Sequence, residues 1–216
     1  MTRSHFWSAV IEPKTMAIAI REDTKEGILD AAERLLARYG YRKMTVEDIA
    51  REVGIGKGSI YLHFSSKEEV VLSHVDRIVE RLKVRLWELA RGKGSSAERL
   101  REMLLTRVLF RFDSIQHYTQ SLNDLLAALR PNLLARRARY FDEEAQIFAH
   151  VLTEGRESGE LEFPDALSTA YSLLHATNAL LPYSLSTTEL GEREEVKAKA
   201  SGIAELVLHG LLRASE

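Results

Sequence analysis

The chain has 216 residues, enough to bury a sizeable core in one or two compact units. Hydrophobic residues make up 45% and charged ones 29%, and no apolar run nears the roughly 18 residues of a membrane span, so the chain reads as soluble and cytoplasmic. Cysteine is absent, which excludes disulfides, thiolate metal sites and cysteine nucleophiles, and the formal net charge of −2 does not by itself advertise nucleic acid.

Residues 1–21 show no clear period and read as an N-terminal arm. Glu12, Pro13 and Lys14 interrupt its apolar residues, which makes a poor signal peptide. Met1 and Met16 both read as starts. The first helix is expected over Thr24–Tyr39, with Asp23 and Glu26 in a capping-box pattern. Ile28, Ala31, Ala32, Leu35, Leu36 and Tyr39 form its apolar stripe, and Gly40 stops it.

Thr45–Phe64, TVEDIAREVGIGKGSIYLHF, then reads as two short helices around a tight turn. Thr45 and Asp48 can form a reciprocal cap, Ile49, Ala50 and Val53 share one face, and Gly54 ends the first helix where a left-handed residue is needed. Ile55 plugs the turn. Ile60 and Phe64, an i, i+4 pair, point inward from the second helix. Lys57, Gly58, Ser59, Tyr61, Leu62 and His63 are left facing outward or sideways. Such a short, donor-rich face suits a major groove: Gly58 permits close approach, Ser59 reaches a base or phosphate, and Lys57, Tyr61 and His63 suit phosphate oxygens. An ordinary helical hairpin with a solvated face has the same spacing.

The residues of this stretch and those that follow it carry a resemblance. Thr45, Glu47–Ala50, Gly54, Lys57–Tyr61, His63–Phe64 and Ser66–Glu68 together resemble the DNA-binding signature of the tetracycline-repressor (TetR) family, from about Asp23 to Val75. The resemblance implies a DNA-binding transcriptional regulator with no cofactor. In that family a lysine at the place of Lys67 contacts the DNA backbone. Residues 1–67 carry eleven Lys and Arg against nine Asp and Glu, and the remainder leans acidic, a weak asymmetry of the right sign. Arg3, Lys14 and Arg21 of the arm either approach the DNA or belong to an inert tail. Arg42 and Lys43 either touch phosphate or sit in a solvated loop.

A long helix is expected after Phe64, capped by Ser66 with Glu69 as box partner and apolar along Val70, Val71, Val75, Ile78, Val79, Leu82, Leu86 and Leu89 to about Ala90. It reads as the lever between two bodies. RGKGSS, residues 91–96, ends it. Further helices are expected near Ala97–Phe112, His117–Ala128, Asn132–Glu157, Pro164–Leu185 and Glu189–Ala214, broken at Asp113–Gln116, Arg130–Pro131, Ser158–Phe163 and Ser186–Thr188. The run Arg136–Arg139 reads as a solvated face.

The last two helices are rich in small residues, which let axes approach closely. They are the expected homodimer interface, with Ala170, Leu173, Ala176, Leu180, Ala200, Ile203, Ala204, Leu206 and Leu211 on it; intrachain packing is the alternative. Trp87, Arg107, Phe110, Arg111, His117, Asn123, Tyr171, His175 and Asn178 are the candidate lining of an effector pocket, with Arg107 and Arg111 (i, i+4) as hooks for an acidic group or, equally, solvated. His150 and Glu154 share a face but make no zinc site alone, and no HExxH, phosphate-cradling loop or nucleophile elbow occurs, so neither a metal nor an enzyme is read.

The fold class expected is all-α, with about nine helices. It comprises the arm (1–21), a three-helix helix-turn-helix DNA-binding head (22–67) and a helical effector-binding and dimerisation body (68–216). The function implied is a ligand-responsive dimeric regulator, most often a repressor, on a palindromic double-stranded DNA operator and released by a small apolar or amphipathic effector. A helical small-molecule sensor or carrier without productive DNA binding is the alternative.

Overall fold

The computed structural model describes residues 13–115, 122–181 and 191–212. Eight helices are seen there: α1 Pro13–Lys43, α2 Val46–Val53, α3 Lys57–Tyr61, α4 Lys67–Ala90, α5 Ser96–Ile115, α6 Leu122–Glu157, α7 Ala166–Asn178 and α8 Arg193–His209. Among the described residues no strand occurs, only an isolated antiparallel bridge between Leu161 and Leu212. The all-α expectation holds.

The first helix departs from its expected start. It is helical from Pro13, so Asp23 and Glu26 are interior residues and cap nothing. Its span breaks at Gly40 (φ 75°), where only a residue without Cβ turns cheaply, and this is the stop expected there. Ile28, Ala31, Ala32, Leu35 and Leu36 are buried as the stripe requires. Tyr39 is not: it is 44% exposed, and Tyr41, beyond the Gly40 kink, takes the interior position. The kink rotates the chain, so a stripe extended through it lands on the wrong residue.

The turn between α2 and α3 follows the expected local chemistry. Thr45 Oγ1 accepts from Asp48 N at 3.1 Å, and Asp48 Oδ2 accepts from Thr45 N at 3.1 Å. Gly54 closes α2 with φ 78°, and its N–H and that of Ile55 both return to the Ala50 carbonyl. Ile60 and Phe64 are buried against Ile28, Leu36, Met44 and Ile49. Ser66 caps α4 by accepting from Glu69 N at 3.1 Å. The return half of that box is displaced, because the Glu69 carboxylate accepts from Arg136 on α6 at 3.0 and 3.1 Å.

The expected break at Arg130–Pro131 does not occur; one 36-residue helix runs through it. Pro131 and Ala127 are both exposed, so the carbonyl that loses its donor can turn to water instead. The consequence reaches the head. Leu125, Leu129 and Leu133 of α6 are buried in the same core as Ile28, Ile49, Ile60, Phe64, Val70 and Val71. α4 is therefore not the sole link between the two bodies. α6 runs beside it, joined by Lys83–Glu143, Arg136–Asp76 and a Tyr140 hydroxyl that donates to Asp76. Arg136 thus belongs to the α4–α6 joint rather than to a solvated face. Arg77 of α4 ties the joint to α1 through Glu26 (3.0 Å), Asp30 (2.6 Å) and Glu33 (3.1 Å), three carboxylates on one α1 face.

Below the head, Leu82, Leu86, Leu100, Met103, Phe148, Val151, Leu174 and Leu208 form the main body core. α5 packs against α8, α4 and α6, and α6 against α7. No described helix is long and apolar enough to cross a membrane.

Candidate nucleic-acid interface

α3 has only five residues and its apolar commitment is confined to Ile60, which is 1% exposed. Lys57, Gly58 and Tyr61 are exposed. Tyr61 is 48% exposed, Leu62, just beyond it, 71%, and Lys57 and Gly58 lie open. A Cβ built on Gly58 meets nothing within 4 Å. No described residue crowds that position, so the backbone of α3 is open to solvent there. Ser59 is half-buried and its N–H returns to Gly56 O at 2.9 Å. Thr45 is exposed at the start of α2.

The cations on this face are already engaged. Lys57 pairs with Glu47, and its ammonium lies 5.9 Å from the Tyr61 ring centroid. The hydrogen bond that Lys57 donates to Glu47 raises the Lys57 pKa and lowers that of Glu47. A phosphate at Lys57 therefore exchanges with an internal carboxylate rather than meeting a bare charge. Lys67 donates to the Tyr41 carbonyl at 3.1 Å and lies 4.3 Å above the Tyr41 ring. Two of its three ammonium hydrogens remain for another acceptor. The Tyr41 hydroxyl donates to Glu68 at 2.9 Å, and burial, then Glu68, pushes its pKa up to about 12. His63 is half-buried; burial, then the charges of Arg21 and Lys25, pushes its pKa down, leaving a neutral imidazole near pH 7. Arg21 and Lys25 were not expected beside it. A helix assumed to begin at Thr24 leaves Arg21 in the arm, so its i, i+4 spacing with Lys25 is visible only once α1 is extended.

The geometry is that of a helix-turn-helix with an unobstructed second helix. Residues 28–73 match the model of the bacterial regulatory proteins of the tetR family. A fatty acid metabolism regulator protein of Bacillus subtilis is 25% identical over 188 residues, 85% of this chain and 93% of that one. The HTH-type transcriptional repressor KstR2 of Mycobacterium tuberculosis is 28% identical over 139 residues, 61% of this chain and 66% of the relative. A crystal structure of a TetR/AcrR-family transcriptional regulator from Thermobifida fusca superimposes with a TM-score of 0.62 at 27% identity, covering 88% of this chain and all of that one. The chain belongs to the TetR family of transcriptional regulators. The family match over residues 28–73 spans the whole α2–α3 unit, whose outer α3 face is open.

The body places the other candidates in two groups. Arg107 is 1% exposed, not solvated; its Nε donates to Glu144 at 2.7 Å, Nη1 to Thr177 Oγ1 at 2.8 Å and Nη2 to Asn178 Oδ1 at 2.9 Å. Arg111 donates to the same Glu144, through Nη1 at 3.2 Å and through Nη2. The carboxylate that these arginines hold is thus the chain's own. Glu144, Thr177 and Phe141 escaped the sequence reading, since a lone glutamate on a helix carries no sign of burial. Tyr171 and His175 gather around Phe141: its ring lies 5.7 Å from Tyr171 and 4.8 Å from His175, while the Tyr171 hydroxyl donates to Asp142 at 2.8 Å. Trp87 stands apart, 5.4 Å from His150, and Phe110 is half-buried in the body core. His117 lies outside the described residues, as do Arg3 and the rest of residues 1–12; Lys14 and Asn123 are described only as helical backbone.

Of the expected interface residues, Ala170, Leu173, Leu180, Ala200 and Ala204 are buried within the single chain. Their small side chains let α7 and α8 approach α5 and α6, so their area is already used. Ala176, Ile203 and Leu211 are half-buried, and Leu206 remains 77% exposed. The exposed stripes of the same two helices are Ser168, Ser172, His175 and Ala179 on one, and Ala198, Gly202, Leu206 and His209 on the other.

Proposed function

We propose that this regulator represses transcription as a homodimer on a pseudo-palindromic operator and is released by a small apolar or amphipathic effector held in the body. The observation that carries the DNA half is the bare outer face of α3. Thr45, Lys57, Gly58, Ser59, Tyr61, His63 and Lys67 surround or form it, with Gly58 and Ser59 toward bases and the rest toward phosphate. Repression is in keeping with the relative named a transcriptional repressor, and an acyl-like effector with the one named for fatty acid metabolism. Two heads related by a two-fold axis would occupy major grooves one or more turns apart, roughly 34–36 Å each.

The test is anisotropy of a labelled duplex from the DNA upstream of its own coding region, across a salt series. Lys67→Ala is expected to weaken binding equally on specific and random duplexes. Each lost phosphate contact flattens the salt slope by about 0.9, hence by about two for a dimer. An unchanged slope would remove Lys67 from the backbone contacts.

Dimerisation is supported by the exposed α8 stripe, where Gly202 has open space and Leu206 projects. Leu206→Glu is expected to sediment as a monomer and to lose cooperative operator binding. A dimer of wild-type affinity in that variant would place the interface elsewhere. The effector is sought by mass spectrometry of material that copurifies; the groups nearest to hand are Tyr171, His175 and Phe141 at the α6–α7 surface.

A further inference from the structure

We infer that Tyr41 is a positioning residue for DNA binding: its carbonyl and ring hold the Lys67 ammonium, while its hydroxyl keeps Glu68 from neutralising that charge. The inference rests on the phosphate role proposed for Lys67. Tyr41 lies just past the Gly40 kink of α1 and is buried in the head core, which fixes its ring. The Lys67 ammonium donates to the Tyr41 carbonyl at 3.1 Å and stands 4.3 Å from the ring centroid. The Tyr41 hydroxyl donates to Glu68 Oε1 at 2.9 Å. One buried residue thus touches both a cation and the carboxylate that follows it in the chain.

The first turn of α4 shows why such an arrangement is needed. A helix N-terminus favours anions, and Glu68 and Glu69 supply them there. Lys67 has the wrong sign for that end. A carbonyl oxygen and the negative face of an aromatic ring hold it without cancelling its charge. Both neighbouring acids are committed elsewhere: Glu69 accepts from Arg136 at 3.0 and 3.1 Å, and Glu68 from Tyr41. Among the described residues no carboxylate lies within ion-pair distance of Lys67. On the same head Arg34 pairs with Glu52, Arg51 with Asp48 and Lys57 with Glu47. Lys67 differs from these in having a carboxylate close by that an identified donor turns aside. Glu68 is near enough to feel it: after hydrogen bonds from its own backbone, Tyr41 and Ser66, the charge of Lys67 also helps to hold the Glu68 carboxyl below its usual range. Without the hydroxyl, Glu68 loses its donor and is left beside an ammonium. The pair that then forms competes with any phosphate that binds. Because phosphate contacts carry no base information, the competition weakens binding to every sequence alike.

The experiment measures anisotropy on two duplexes, one from the protein's own upstream DNA and one of random sequence. The proteins are wild type, Lys67→Ala, Tyr41→Phe, Glu68→Gln and the double variant Tyr41→Phe/Glu68→Gln. Tyr41→Phe keeps the carbonyl and the ring and loses only the hydroxyl. At low salt it should bind both duplexes about fivefold more weakly, the scale of breaking one surface ion pair in each subunit of a dimer. The deficit relative to wild type should shrink as salt is raised, because the competing pair is exposed and screened. Adding Glu68→Gln should restore binding to the level of Glu68→Gln by itself. That rescue is the readout a merely structural hydroxyl would not give. Wild-type affinity in Tyr41→Phe would overturn the inference, and so would a loss that Glu68→Gln does not restore; a weakened Lys67→Ala would leave the phosphate reading standing in either case. Wild-type affinity and salt slope in Lys67→Ala would overturn both.

Discussion

Glu144→Ala will cost the folded state about 3–5 kcal/mol, seen as a large drop in the urea midpoint, because it leaves two guanidiniums buried around nothing. Glu144 is fully buried between Arg107 and Arg111, which are themselves almost inaccessible. Burial alone would push its pKa up. The charges and hydrogen bonds of the two arginines outweigh that, and the carboxyl is held below the usual range. Its contribution is therefore complete above the unfolded value of 4.5 and is lost as pH falls below that toward the folded pKa. The same three side chains draw α5, α6 and α7 together, since Arg107 also donates to Thr177 and to the Leu174 carbonyl. A triple variant with Met at 107 and 111 and Leu at 144 should recover much of the loss, because an apolar trio of similar volume carries no desolvation cost. If Glu144→Ala unfolds at the wild-type midpoint, the triad is not holding these helices.

What could be read from the residues alone divides by range. The α2–α3 turn was legible because each of its determinants is local. Thr45 and Asp48 are three apart, Gly54 acts on its own φ, and Ile60 and Phe64 are one turn apart. The stripe of α1 was legible for the same reason up to Gly40, and failed where the backbone changed direction. Pro131 was misread because a proline signals only the hydrogen bond it cannot make. Whether a helix stops there depends on what else can satisfy the freed carbonyl, and an exposed turn can.

The sites were less legible than the elements. Arg107 and Arg111 stand out in the sequence as an i, i+4 pair, read as effector hooks or as solvated, yet the partner that buries them lies 33–37 residues away on another helix. Nothing in a single sequence connects them. The small residues of α7 and α8 were rightly seen as permitting close helix approach. They serve the chain's own core first, so Ala170, Ala200 and Ala204 cannot also face a second copy. Small side chains report that two axes are near each other, not to which chain the second axis belongs.

Stability is expected to fall by about 3 kcal/mol between pH 6.5 and pH 4 through His74 alone. His74 is 2% exposed on α4, against the joint with α1. Burial, then the charges of Arg77 and Arg81, pushes its pKa down to about 4, with Asp30 opposing. Arg77 Nη2 lies 3.3 Å from Nδ1; a guanidinium can only donate, so Nδ1 accepts and the ring is neutral with its proton on Nε2. Glu33, 4.0 Å away on α1, is occupied by Arg77 and cannot offset a second positive charge. The folded pKa lies below the unfolded 6.5, so between the two values the unfolded chain binds more protons and stability drops as pH falls. At 1.36 kcal/mol for each pH unit, that interval amounts to about 3 kcal/mol. Urea unfolding at several pH values, for wild type and His74→Gln, isolates the effect. Glutamine does not titrate, so between pH 6.5 and 5, before carboxylates contribute strongly, the variant's curve should be flatter. Parallel curves would show that His74 already finds room for its charge. The place matters more than the amount: a proton here sets two cations side by side where Arg77 gathers Glu26, Asp30 and Glu33, so acid should loosen the α1–α4 joint that carries the head before it dissolves the body core.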